Sequence, residues 1–370
     1  MRLATLLVLT ACGRIGFAPL GDGALANGDG NGGDGGGDGA LAGGVVVPLS
    51  SSGSCPAVAW SGSQLGVAWI EGTTGLEFAA YDATGTLIAG PLAVGSGLQN
   101  LACPAIAWTG GRFLVAAPSG SLNRREIVVA TIAGGVASAT TNATNDSGDS
   151  VDPSLASDGA TAMLGWLDVT GTNYNAYAMA LTTAGSPTSG EVRLSALQSD
   201  NTAPTISATA GGYAAVWNAT GGPRVVGLDS GATPAGPENV IGGTANGIVA
   251  SAWTGSDLIA AWATSAGDTL ATARFATSGA VTSGPQTFAA MRSQSPALVW
   301  TGSAASLVYY ETYGLVQYWL AQLDGTGAFV SEVPLANAAL SPTSSLVWTG
   351  TQLVAGVTTP AGALLHILPP

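Results

Sequence analysis

Pro56-Ala-Val-Ala-Trp60-Ser-Gly62 returns as Pro104-Ala-Ile-Ala-Trp108-Thr-Gly110 and again as Pro296-Ala-Leu-Val-Trp300-Thr-Gly302. Two more copies keep the Trp and Gly without the Pro, running from Val249 through Trp253 to Gly255 and from Ser344 through Trp348 to Gly350. Two are degenerate, Pro153 to Gly159 and Pro204 to Ala210. The seven starts, at 56, 104, 153, 204, 249, 296 and 344, lie 45 to 51 residues apart. A repeat of that length, built from short alternating segments, predicts an all-β chain: a seven-bladed β-propeller of four-stranded antiparallel blades.

Outward from the motif, the first copy reads as four strands. Pro56–Trp60 alternates, Leu65–Ile70 is a nearly continuous apolar run of the kind buried on both faces, and Leu76–Tyr81 alternates again. The turn Asp82-Ala-Thr-Gly85 then leads into a run from Thr86 to Val94. Asp bonds its own backbone in such a turn and Gly accepts positive φ, so Asp82 and its counterparts Asp229 and Asp324 are read as turn formers. Thirteen residues after each start stand Trp69, Trp166, Trp217, Trp262 and Tyr309, with Ala117 and Val357 in the other two copies. An aromatic recurring at one offset points to packing between blades. The seventh copy has three strands before the chain reaches Pro370, and Gly44–Ser50 resembles the fourth-strand segment Glu332–Ala336. Residues 44–51 are therefore expected to pair into the last blade and close the ring, removing its open edges.

Ahead of the repeats, Met1-Arg-Leu-Ala-Thr-Leu-Leu-Val-Leu9-Thr-Ala-Cys12 resembles a bacterial lipoprotein signal, in which the Cys thiol receives the lipid. The resemblance implies a signal peptide over 1–11, lipidated Cys12, and a Gly/Asp-rich tether over 12–43 that has too little apolar surface to form a core. At eleven residues the run is short for such a signal, which points to a translation start upstream. The tether's Asp-Gly pairs fail the EF-hand pattern, because Gly33 occupies a ligand position and no Glu closes the loop. Gly13 after the Cys fits sorting to the outer membrane, so the expected address is the cell envelope, facing the periplasm or the exterior. No later segment holds ~18 unbroken apolar residues.

The composition narrows the partners. Charged residues make up 8%, all nine basic residues are Arg, and the net charge is −13. That balance excludes nucleic acid and anionic lipid surfaces as partners and leaves the lipid anchor as the one membrane contact. A monomer is expected. Cys55 and Cys103 each precede the repeat Pro of neighbouring blades, at equivalent positions near the axis, and are expected to form a disulfide in an oxidising compartment.

Catalytic signatures are sparse. The one His, His366, lies in an apolar terminal run and has no second ligand to share a metal; the chain has no Lys for Schiff-base chemistry and no nucleophile elbow. Sialidase-type Asp boxes are absent, since Ser157-Asp158-Gly159 lacks their spacing. No catalytic residue, metal ligand or cofactor is assigned. Carboxylates at the fifteenth position after the start, Glu71, Asp168 and Glu311, are the remaining route to glycan cleavage. They share one face with most of the irregular polar sequence: Arg124, Arg125 and Glu126; Asp146, Asp149 and Asp152; Asn173, Tyr174 and Asn175; Asp200 and Asn201; Arg292; Tyr313. Varied loops on a rigid scaffold are where binding resides. The ligand-face candidates are Glu71, Arg124, Arg125, Asp149, Asp168, Tyr174, Arg292, Glu311 and Tyr313.

Pro-x-Val-x-Trp-x-Gly, an apolar strand ending in Trp, and Asp-x-x-Gly, set behind a lipoprotein signal, resemble the repeats of secreted and lipid-anchored bacterial β-propeller proteins, a group mostly without assigned function. The resemblance implies the architecture and leaves the activity open. The reading is a non-catalytic binding or scaffolding module of the envelope, with an envelope glycan or a surface protein as partner. The alternatives are a glycan-cleaving hydrolase or lyase, and a structural component of a surface coat.

Overall fold

The computed structural model describes residues 44–196, 201–264, 269–290, 294–312, 316–339 and 343–369. Cys12 and the tether lie outside the described residues, as do Asp200, Arg292 and Tyr313. The described chain forms seven antiparallel sheets. Blade 1 comprises Gly53–Trp60, Leu65–Glu71, Gly75–Tyr81 and Leu87–Ala93, hydrogen-bonded in that order. The other blades repeat the plan, with each motif copy as the first strand. Blade 2 departs from four strands: its outer strand is split into Val136–Ala137 and Thr141–Asn142, which both pair with Arg124–Ala133. A two-residue Gly134-Gly135 turn replaces the Asp-x-x-Gly turn there, so the returning chain takes a different path along the sheet edge.

The ring closes as expected. Val45–Ser50 pairs antiparallel with Gly362–Leu368, from Val45 opposite Ile367 to Ser50 opposite Ala363, and supplies the fourth strand of blade 7. His366 sits in that seam, buried, with Val46 and Ala355 as its register partners.

Each thirteenth-position aromatic packs on the preceding blade. Trp69 of blade 1 lies against Val354, Leu365 and Ile367 of blade 7, and Trp166 of blade 3 against Leu114, Ala116 and Val129 of blade 2. Trp262 and Tyr309 repeat the arrangement against blades 4 and 5. Burying ~150 Å² of ring at ~25 cal/mol per Å² gives each about 4 kcal/mol, so these contacts hold the blades together. The turn-forming role of the repeated Asp holds as well. Asp82 Oδ1 accepts the N–H groups of Thr84 at 2.8 Å and Thr86 at 2.9 Å. Asp229 does the same with Gly231 and Thr233, and Asp324 with Thr326 and Ala328. The acids of that face are therefore engaged by their own turns.

Candidate functional site on the loop-rich face

The first strands of all seven blades line an opening along the ring axis, about 320 Å³ in volume, walled by residues such as Ala57, Ile106, Ser154, Thr205, Ser251 and Leu346. At the end bearing the second-to-third-strand hairpins, its mouth is ringed by the residues that precede each motif. These include Cys103, Asp152, Ala203, Ile248 and Thr343. Among the described residues lining the mouth and the channel, Asp152 alone is ionisable. Two members of the set adopt left-handed backbone at a bulge, Cys55 with φ 53° and Asp152 with φ 50°. The expected disulfide is present: Cys55 and Cys103 are joined with an S–S distance of 2.08 Å and Cα atoms 5.1 Å apart.

The face is uneven. The second strands of blades 2 and 3 end at Ser121 and Thr170, each 17 residues past the motif start, whereas those of blades 1, 4 and 6 end at Glu71, Ala219 and Glu311, 15 past theirs. Two more residues per strand raise these hairpins by roughly 7 Å. Their tips present Leu122 (65% exposed), Arg124 and Tyr174 (40% exposed) to solvent.

At the foot of the blade 2 hairpin, Arg125 is committed to Asp149. Its backbone N–H and Nε donate to Asp149 Oδ1 at 2.8 and 2.9 Å, and Nη2 donates to Oδ2 at 2.7 Å. Burial works against ionisation of Asp149, but the side-chain and backbone hydrogen bonds from Arg125 outweigh it and hold the carboxyl below its usual range. Asp152 is reached by solvent yet crowded by protein in the channel. That desolvation raises its carboxyl against the pull of Arg125, and the Asp149 charge adds to the rise.

Behind this pair, between blades 2 and 3, four carboxylates gather. Glu126 accepts the Thr144 hydroxyl at 2.5 Å and the Asp146 N–H at 3.1 Å, and Glu191 accepts the Asn145 N–H at 3.2 Å. Asp168 accepts the Thr170 hydroxyl at 2.9 Å, and the Asp146 carboxylate lies within hydrogen-bonding reach of it. Two ionised carboxylates have no proton to share, so that contact is a bond only when one of them is protonated. Asp168 is pushed up to about 6, by burial first, with the Thr170 hydroxyl opposing and the Asp146 and Glu191 charges adding. Desolvation also raises Glu126 and Glu191. Among the described residues no group of three or more His, Cys, Asp and Glu is arranged to hold a metal ion.

The three fifteenth-position carboxylates stand in separate blades with separate neighbours. Glu71, in blade 1, is held below its ordinary value by the hydroxyls of Ser50 and Ser52, and it also accepts the Trp69 Nε1–H at 3.1 Å. Glu311, in blade 6, lies near Tyr309, whose hydroxyl donates to Glu332 and is raised by burial first, then by Glu332, with the Glu311 charge adding least. Asp168 has Asp146 and Glu191 beside it. The repeat therefore does not pair these three acids with one another on a single bond.

Two features escaped sequence reasoning. One is the place of Asp152 on the axis, which aligning Cys55, Cys103 and Asp152 as predecessors of Pro56, Pro104 and Pro153 could have shown. The other is a polar row across blade 3, where Ser150, Asp168 and Asn175 face one another in register. No family model and no curated protein matches the chain. Among solved structures, the chain is similar to a subtype N10 neuraminidase-like protein of A/little yellow-shouldered bat/Guatemala/060/2010, at 9% identity and a TM-score of 0.47, over 88% of this chain and 98% of that one. It is also similar to a subtype N11 neuraminidase-like protein of A/flat-faced bat/Peru/033/2010 (H18N11), at 15% identity and a TM-score of 0.46, over 89% of this chain and 94% of that one. The architecture stands on the chain's own strand pairing, and these likenesses say nothing of its activity.

Proposed function

We propose that the protein is a binding or scaffolding module displayed at the cell envelope on a lipid anchor at Cys12, with the loop-rich face at blades 2 and 3 as its ligand surface. The observation that carries this reading is the asymmetry of that face. Two raised hairpins with Leu122, Arg124 and Tyr174 at their tips stand beside an axial mouth at which Asp152 is the one ionisable group among the described residues. The repeated Asp turns at the other end of the blades are satisfied by their own backbone. Exposed aromatic and Arg side chains on a rigid rim, beside a neutral Ser/Thr/Pro-lined channel, suit a hydroxyl-rich oligosaccharide or a neutral surface loop of a partner protein. The net charge of −13 is consistent with a partner that is not polyanionic.

The test is a thermal-shift screen of the protein against envelope oligosaccharides, beside a variant carrying Leu122→Ser, Arg124→Ala and Tyr174→Ala. The expected result is a ligand-dependent rise in Tm that the variant loses while its own melting stays unchanged. A rise that survives the triple change would place binding elsewhere on the ring. For the anchor, labelled fatty acid should enter the wild-type protein and not Cys12→Ser, and equal labelling of the two would remove the anchor from the reading.

A further inference from the structure

Blade 3 carries a row of three buried polar side chains across three neighbouring strands. Ser150, Asp168 and Asn175 are direct cross-strand partners on three neighbouring strands, so their side chains emerge on one face of the sheet. That face looks toward blade 2: Leu164 and Trp166, on the same side of the strand as Asp168, pack with Leu114 and Ala116 of blade 2. All three residues are more than nine-tenths buried, at 0%, 4% and 8% exposure. Each keeps a polar atom without a hydrogen-bond partner: Ser150 Oγ, Asp168 Oδ2 and Asn175 Oδ1. Burying an oxygen unpaired is destabilising, and three in one row are three times so.

The loop above the row brings more oxygen and no cation. Asp146 reaches Asp168 from the loop that joins blade 2 to blade 3, and Gly148 lies so close that a Cβ there would fall 2.1 Å from Asp168 Oδ2. The Glu191 charge also acts on Asp168, and the Glu126 charge on Glu191. Two guanidinium groups stand in this region: that of Arg125 is turned to Asp149, and that of Arg193, on the same face through its register with Tyr177, donates to the Ala196 carbonyl. Unpaired buried oxygens, adjacent carboxylates and a charge deficit together describe the donor set of a hard divalent cation.

We infer that the buried polar row of blade 3, where it faces blade 2, is a calcium site, in which Asp168 and Asn175 supply buried oxygens, Asp146 supplies the second carboxylate from the loop above, and Ser150 completes the set. Two carboxylates match the cation's charge, and neutral amide and hydroxyl oxygens fill coordination positions that a softer metal would leave to His or Cys. A cation that keeps part of its water shell also gives the Trp166 Nε1–H, itself without an acceptor, something to bond. Bound there, the ion fastens the Asn145–Gly148 loop to blade 3 beside Asp149 and the axial mouth. The inference does not depend on which ligand the outer face takes.

The experiment is titration of CaCl2 into chelator-treated full-length protein at pH 7.5 by calorimetry, with thermal melts in CaCl2, MgCl2 and EDTA. One site is expected, with a Kd of roughly 10⁻⁴–10⁻³ M as for extracellular calcium modules, and a Tm rise in CaCl2 larger than in MgCl2. Asp168→Asn should weaken binding tenfold or more. Asn175→Ala, which leaves both carboxylates in place, should weaken it severalfold and provides the readout if the Asp168 variant fails to fold. Neither heat nor Tm change with 10 mM CaCl2 (about ten times the weakest expected Kd) would overturn the inference and leave a shared proton as the occupant. Equal binding by wild type and both variants would also overturn it, by moving the ion elsewhere.

Discussion

Blades 1 and 3 share one backbone plan and treat the same three positions in opposite ways. Just before the motif, both place a residue in left-handed conformation at a bulge, Cys55 and Asp152. Cys55 is tied to blade 2 by a disulfide, while Asp152 faces the axial channel. Thirteen residues in, both bury a Trp against the preceding blade. Fifteen in, both carry an acid: Glu71 accepts the Trp69 indole N–H, but Asp168 leaves the Trp166 indole without an acceptor. Asp is one methylene shorter than Glu, and its free reach goes to the Thr170 hydroxyl. In a ring of near-equivalent blades, positions used for cohesion in one blade and left unsatisfied in another mark where the sequence serves something besides the fold.

The disulfide gives the largest expected effect. It closes a loop of sequence separation 48, and a crosslink of that span restricts the unfolded chain enough to stabilise by about 4 kcal/mol. Cys55→Ala with Cys103→Ala should therefore lower the denaturation free energy by up to that amount under non-reducing conditions. Asp152→Ala, at the equivalent place in blade 3, should stay within about 0.5 kcal/mol of wild type or gain stability, because it removes a desolvated charge. Equal losses at the two positions would show that the bulge, and not what it carries, decides cohesion near the axis.

Next in size is a pH effect centred on blade 3. Asp168 is raised from 3.8 to about 6, so between those values the folded protein holds a proton that the unfolded chain has released. The contribution of Asp168 to stability is therefore fully present below pH ~4, falls as pH rises through the window, and above pH 6 is lower by up to about 3 kcal/mol. Glu126 and Glu191, also raised, contribute slopes of the same sign, and Asp149, lowered, contributes the opposite one. Tyr177 and Arg193 face the same region, and Tyr177 is raised by burial first. The informative quantity is the difference between wild type and Asp168→Asn in calcium-free buffer. The variant should lose most of the fall between pH 4 and 6, whereas Glu71→Gln, which removes an acid lowered in the folded protein and so a slope of opposite sign, should deepen it. Parallel pH curves for wild type and Asp168→Asn would show that Asp168 titrates normally.

Much of this was legible in the repeat and some was not, for physical reasons. Periodicity exposed the ring, the interblade aromatics and the closing strand, because a spacing near 48 residues forces equivalent residues into equivalent packing. The Cys55–Cys103 bond followed from the same equivalence. The shared position of Glu71, Asp168 and Glu311 was readable, but their partners were not. Partners depend on side-chain reach and on loops between blades, such as Asn145–Gly148, that lie outside the period. Ser150 and Asn175 gave no signal of their own: cross-strand register joins them to Asp168, and a bulge between Val151 and Ser154 sets that register. Pairing of this kind is set by the folded sheet and cannot be counted along the chain.

The smallest expected effect isolates a single hydrogen bond. Trp69→Phe and Trp166→Phe remove the same atoms from two indoles that are both about fully buried, so the loss of packing is matched. What differs is the N–H. In blade 1 it donates to a carboxylate oxygen at 3.1 Å, and its removal takes away a charge-assisted bond that contributes about 1.5–3 kcal/mol. In blade 3 the removed N–H has no acceptor, so its loss relieves a buried unsatisfied donor. Trp69→Phe should therefore destabilise by about 1–2 kcal/mol more than Trp166→Phe when both are unfolded in denaturant without calcium. Adding calcium should widen the gap between Trp166→Phe and wild type if the indole meets the ion's water shell. Equal losses in every buffer would mean that Trp166 finds an acceptor in solution, and the contrast between the two blades would then rest on Cys55 and Asp152 alone.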